Sequence, residues 1–164
     1  MKHMLGWLLA LCLLLGCGAH AEESAVTYGY LQGGAEDSVI IYASARENAE
    51  MSGCYLPGTP VMVLAYGQDW THVRLSHQEN SEDSVMGFVH TGQVGTTAPK
   101  TALPVAQLQA PEGEESVEVN SDCANLGLDV YPQGTSVQLI GQHEVYWAIL
   151  VDGKTGTIEK EYAA

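Results

Sequence analysis

Cys54, followed by His72 and His90, supplies the residue types of a thiol nucleophile and a general base. That chemistry needs a thiolate stabilised by a helix N-terminus or a cation, a third group to orient the imidazole, and a cleft. No helical signal lies near Cys54, and no stretch of chain is left over for a catalytic domain, so a protein that is not an enzyme is expected. His72, His77 and His90 with Glu79, Glu82 and Asp83 are metal-capable groups around one polar segment. Their spacing fits neither a closed zinc pattern nor a calcium loop with its glycine turn, so no metal or other cofactor is expected. Paired-carboxylate hydrolysis finds many acids but no apolar pocket to raise one of their pKa values.

The elements that would position these side chains are strands. Residues 55–75 read as turn, strand, turn, strand: Pro57-Gly58 is turn chemistry, Val61 and Val63 alternate with Met62 and Leu64, and Gly67-Gln68-Asp69 reverses the chain into a strand at 70–75. A second copy begins at Tyr131. Allowing one inserted residue, Tyr55 matches Tyr131, Gly58 matches Gly134, Thr59 matches Thr135, Val61 matches Val137, Leu64 matches Ile140 and Trp70 matches Trp147. Gly58 to Gly134 and Ile41 to Val117 share an offset of 76 positions, the mark of a tandem repeat. No stretch holds a convincing apolar 3.6 period, so helix should be scarce.

These residues resemble the bacterial Src-homology-3 (SH3b) family, whose units carry a Gly-Thr-x-Val-x-Val-Leu strand, a short turn into Trp-x-x-Val-Arg, and Gly-Tyr-Val at the last strand. Residues 58–64, 70–74 and 87–89 fit, while the second copy is degenerate, with Val151 at the basic position and Thr157 in place of the aromatic. The resemblance implies an all-β fold of two tandem small SH3-like, partly open β-barrels after a cleaved signal peptide. The divisions are 1–21 for the signal, 24–94 for the first repeat, 95–100 for the linker and 101–164 for the second repeat. It also implies a ligand groove between the loop joining the first strands and the turn before the Trp strand, which Tyr28, Tyr30, Tyr42, Tyr66 and Trp70 would line. Flat amphipathic rings offer contact area at low entropy cost and suit peptides or sugars. Cell-wall peptide is the ligand the resemblance implies; the alternative is a module that binds another exported protein. The competing role for Tyr42, Tyr55 and Trp70 is to fill small barrel cores.

Residues 1–21 read as an export signal, with Lys2 for charge, an apolar run at 5–16 too short to span a bilayer, and Ala19-His20-Ala21 as a cleavage site. Leu14-Leu15-Gly16-Cys17 also reads as a lipobox, in which Cys17 would be lipidated and anchor the chain to a membrane. Both readings place the protein outside the cytoplasm, secreted or at the cell envelope. In such a compartment Cys54 and Cys123 form an even pair open to a disulfide, which would staple the two repeats together. The alternative is reduced thiols, with Cys54 packed as a small hydrophobe.

The formal net charge is −14, and loss of Lys2 with the signal leaves twenty acids against five bases. Nucleic acid is therefore an unfavourable partner, and an anionic wall polymer would be met by repulsion.

The repeats differ in two places. Residues 77–84 lengthen the last hairpin of the first repeat with polar side chains, where the second turns tightly through Asp152-Gly153-Lys154. The strand at 147–151 is apolar on both faces, whereas the strand at 70–75 has one polar face. A strand apolar on both sides needs a second cover, so Trp147, Ile149 and Val151 are expected to dock on the first repeat or on a partner.

Overall fold

The computed structural model describes residues 27–34, 37–75, 85–121 and 129–164. The export segment with Cys17, the polar hairpin tip at 77–84 and Cys123 lie outside the described residues.

The chain is all-β, as its sequence predicts. Among the described residues the helical pieces are two 3-10 turns, Thr91–Gln93 and Lys160–Tyr162, and the rest of the regular structure is antiparallel strand. The first set of strands is β1 (Thr27–Leu31), β2 (Val39–Tyr42), β3 (Met51–Tyr55), β4 (Pro60–Tyr66), β5 (Trp70–Arg74), β6 (Met86–His90) and β7 (Val94–Gly95). Its spatial order is β3-β2-β6-β5-β4-β1-β7. The second set is β8 (Val105–Gln107), β9 (Ser116–Ser121), β10 (Asp129–Pro132), β11 (Ser136–Gln142), β12 (Tyr146–Val151) and β13 (Lys154–Glu159). Its order, β10-β9-β13-β12-β11 with β8 on the far side of β11, repeats the first.

Each set encloses its own core, because alternate residues along each strand point inward. Leu31, Val39, Ile41, Val61, Val73, Leu75 and Val89 fill the first. Leu108, Val117, Val119, Val137, Ile149, Val151 and Ile158 fill the second. The turns repeat as well. Gly58 (φ 95°) and Gly134 (φ 82°) take left-handed conformations that side chains resist, and their N–H groups donate to the carbonyls of Leu31 and Leu108. Asp152 (φ 49°) and Gly153 (φ 78°) make the two-residue hairpin turn expected between β12 and β13.

Strand register corrects two of the sequence correspondences. The offset of 76 runs unbroken from β4 and β5 into β11 and β12: Tyr66 pairs with Thr71 and Gln142 with Trp147, while Val63 pairs with Val73 and Leu139 with Ile149. Trp147 therefore stands in the place of Thr71, and the counterpart of Trp70 is Tyr146, with no inserted residue. Likewise Tyr55 pairs with Val39 and Tyr131 with Val117, so Val117 answers Val39, and Ile41 answers Val119.

The two sets join where β3 meets β11 through the bridge Gly141↔Tyr55. A bulge between Leu139 and Gly141 turns Ile140 out of its own sheet and into the first core. Its carbonyl accepts the Leu56 N–H at 2.6 Å and the Thr59 hydroxyl at 3.1 Å. Close approach requires glycine at 141, since a Cβ there would lie 2.5 Å from the Cys54 carbonyl oxygen.

The two-faced strand β12 is covered on both sides within the molecule, but by the opposite face to the one expected. Ile149 and Val151, with Trp147 packed beside them, belong to the second core. Ala148 and Leu150 face the first core. The one-position shift of Trp147 accounts for the reversal, because neighbouring strand residues point to opposite faces.

Candidate functional site

Core-facing Thr71, Val73, Gly87 and Val89 oblige Trp70, His72, Arg74, Met86, Phe88 and His90 to point away from the first core. Pairing sets them in rows across the sheet. Trp70 lies opposite His90, and His72 opposite Phe88, which in turn lies opposite Tyr42 of β2. Arg74 lies between Met86 and Met62, and Met62 lies opposite Tyr28.

The rings form two contact groups on this one face. Trp70 and His90 stack with centroids 4.1 Å apart, His72 and Phe88 stack at 4.5 Å, and Tyr42 meets Trp70 edge-on at 5.5 Å. Offset stacks and edge contacts of this kind each contribute about 0.5–1.5 kcal/mol beyond burial, so the face is preorganised. Tyr42, Trp70, His72, Phe88 and His90 are all half-buried, leaving part of each ring to solvent. Burial, and then the Arg74 charge, hold the His72 imidazole below its ordinary pKa. One Arg74 N–H reaches the Met86 sulfur at 3.4 Å. On a strongly acidic chain this face carries cationic and aromatic groups and none of its named members is an acid. Such a surface stacks against flat groups: peptide planes, rings, or the C–H faces of sugars.

Of the five residues expected to line a groove, Tyr42 and Trp70 are brought together here. Tyr28, 41% exposed, shares the face but sits on β1, two strands beyond β5. Tyr30 lies opposite Pro60, further along β1. Tyr66 pairs with Thr71, points to the other face at the strand end, and is 54% exposed. The ring stack depends instead on His72, Phe88 and His90, which the aromatic reading of the sequence passed over. The in-facing Gly87 and Val89 are the signal that sends Phe88 and His90 outward.

Cys54 is a half-buried free thiol on β3, opposite Ile40. Strands β2 and β6 separate it from His72, a span of roughly 14 Å at the usual strand spacing, and β2 separates it from His90 by about 10 Å, so neither of these two imidazoles is paired with the thiol. Among the described residues no three His, Cys, Asp or Glu side chains gather as metal ligands. Of the expected disulfide only Cys54 is described, and Cys123 and the lipidation candidate Cys17 lie outside the described residues. No described helix is long and apolar enough to cross a membrane.

A concavity of about 360 Å³ opens where the two sets of strands diverge beyond the Gly141↔Tyr55 bridge. Ser52, Cys54 and Tyr55 form one wall, and Gln142, His143, Tyr146, Ala148 and Thr157 the other.

No protein-family model matches the sequence, and no curated protein matches it. Among solved structures, NlpC1 from Trichomonas vaginalis aligns with a TM-score of 0.34 and 15% identity over 88% of this chain and 48% of its own. NlpC2 from the same organism aligns with a TM-score of 0.35 and 12% identity over 85% of this chain and 48% of its own. An NlpC/P60 family protein from Bacillus cereus aligns at 0.33 and 12%, over 84% and 56%. The chain spans about half the length of these structures, and at TM-scores this low the likeness assigns it neither a fold family nor a function.

Proposed function

We propose that the protein is an exported, non-catalytic binding module that recognises cell-wall peptide at the bacterial envelope through the outward aromatic face of its first set of strands. One observation carries this reading: Tyr42, Trp70, His72, Phe88 and His90 form a preorganised, part-exposed ring surface on β2, β6 and β5. The SH3b resemblance supports the choice of ligand. The strands β8–β13 act as a brace in this account, since Ile149 and Val151 of β12 lie in the second core and Ala148 and Leu150, partly buried, pack against the first. That feature favours wall peptide over the alternative, another exported protein docking on the Trp147, Ile149 and Val151 face.

Amide and indole N–H spectra of residues 22–164, titrated with soluble wall-peptide fragments, test the reading. The Trp70 indole signal should move while the core-packed Trp147 indole stays in place. Movement of neither, or of Trp147 alone, would overturn it.

A further inference from the structure

The cleft between β3 and β12 lies on the face of β12 and β13 that matches the aromatic platform of β5 and β6. Register makes the comparison residue by residue. Ala148 pairs with Thr157 where His72 pairs with Phe88, and Thr157 pairs with Asn120 where Phe88 pairs with Tyr42. Tyr146 occupies the place of Trp70. In the first set the imidazole and phenyl rings of His72 and Phe88 stack and fill this face. In the second, both rings are replaced by a methyl group and a short hydroxyl side chain, and at that place the cleft of about 360 Å³ opens.

We propose that this cleft is a second binding site, for an aromatic side chain presented by a peptide, whose ring takes the space that His72 and Phe88 occupy in the other set of strands. Its volume falls within the range of about 300–1,000 Å³ usual for small-ligand sites. Tyr55, Val85 and Ala148 supply apolar walls for the ring, and Tyr146 supplies an aromatic neighbour where Trp70 stands beside the platform. The Ser52 hydroxyl, the Gln142 amide and the His143 imidazole line the same cleft and can bond the flanking peptide groups. The site is continuous with the joint, because Tyr55 and Ala148 both line the cleft and pack in or against the first core. It is independent of the wall-peptide reading, which rests on the opposite side chains Trp70 and His90.

The probes are N-acetyl-phenylalaninamide and N-acetyl-tryptophanamide, with N-acetyl-leucinamide as the non-aromatic comparison, titrated into residues 22–164. The expected result is saturable movement of the Ala148, Thr157 and Cys54 amide signals with the aromatic probes, at least tenfold weaker with the leucine probe. The same probes should slow alkylation of the Cys54 thiol, which borders the cleft. Thr157→Phe restores the ring found at position 88 and should weaken aromatic binding at least tenfold with the fold kept, as judged by circular dichroism. Tyr146→Ala, at a 40% exposed side chain, gives a second variant that should weaken binding without disturbing the core. Absence of saturable movement at Ala148 and Thr157, equal response to all three probes, or full binding by both variants would overturn the proposal.

Discussion

Ile140 and Leu64 occupy the same bulge of two matching hairpins, yet Ile140 is fully buried and Leu64 is 38% exposed. The same local irregularity thus ends one set of strands in solvent and anchors the other into its neighbour's core. Replacing Ile140 by alanine removes a side chain from a packed core and should cost about 2–5 kcal/mol. Leu64→Ala should cost less than about 1 kcal/mol. Urea unfolding of the two variants checks this, and equal losses would contradict the anchoring role.

The Thr59 hydroxyl is fully buried and lies 2.7 Å from the Leu56 carbonyl oxygen and 3.1 Å from that of Ile140. Its counterpart Thr135 meets, among the described residues, the Pro132 carbonyl alone, at 2.8 Å and partly exposed. Thr59→Val should therefore destabilise by about 1–2 kcal/mol and Thr135→Val by less than half of that, read from the same unfolding curves.

Gly141 leaves no room for a side chain at the joint, where a Cβ would press on the Cys54 carbonyl oxygen and approach the Tyr55 ring and the Ala148 methyl. Since the obstructing atom at 2.5 Å is backbone, relief requires the two sets of strands to shift. Gly141→Ala should cost about 1–3 kcal/mol and raise hydrogen exchange at Leu56, whose N–H is held by Ile140.

Much of this arrangement is legible in the letters, and the exceptions have a physical cause. The turn at Gly58 and its echo at Gly134, the strand that follows each, and the tight Asp152-Gly153 hairpin follow from turn chemistry and alternation. Matching Trp70 to Trp147 fails because identical letters outweigh register. Strands β4 and β5 keep one offset to β11 and β12, and a slip of one residue moves a side chain from outside to core. The inward turn of Ile140 is equally hidden, since a bulge leaves no mark in an apolar run. The platform is only half visible: Tyr42 and Trp70 stand out as aromatics, while His72 and His90 draw attention as bases and ligands before they do as stacked rings.

His72 carries a pH signature. Burial and then Arg74 lower its folded pKa below the ordinary 6.5, so the folded state resists a proton that the unfolded chain accepts. Stability is complete above about pH 6.5 and declines as the pH falls through that value toward the lower folded pKa. Urea midpoints measured from pH 7.5 to 5 should fall, and His72→Gln should flatten that part of the profile. An unchanged slope in the variant would contradict the assignment.

The most direct test of the wall-binding account is co-sedimentation of residues 22–164 with purified cell-wall sacculi at low and moderate salt. Protein and wall polymer are both anionic, so screening should reduce their repulsion. The account predicts depletion from the supernatant that strengthens with salt and is lost in Trp70→Ala, a change expected to weaken binding by about 2 kcal/mol or more. No depletion at either salt, or depletion that survives Trp70→Ala, would contradict it.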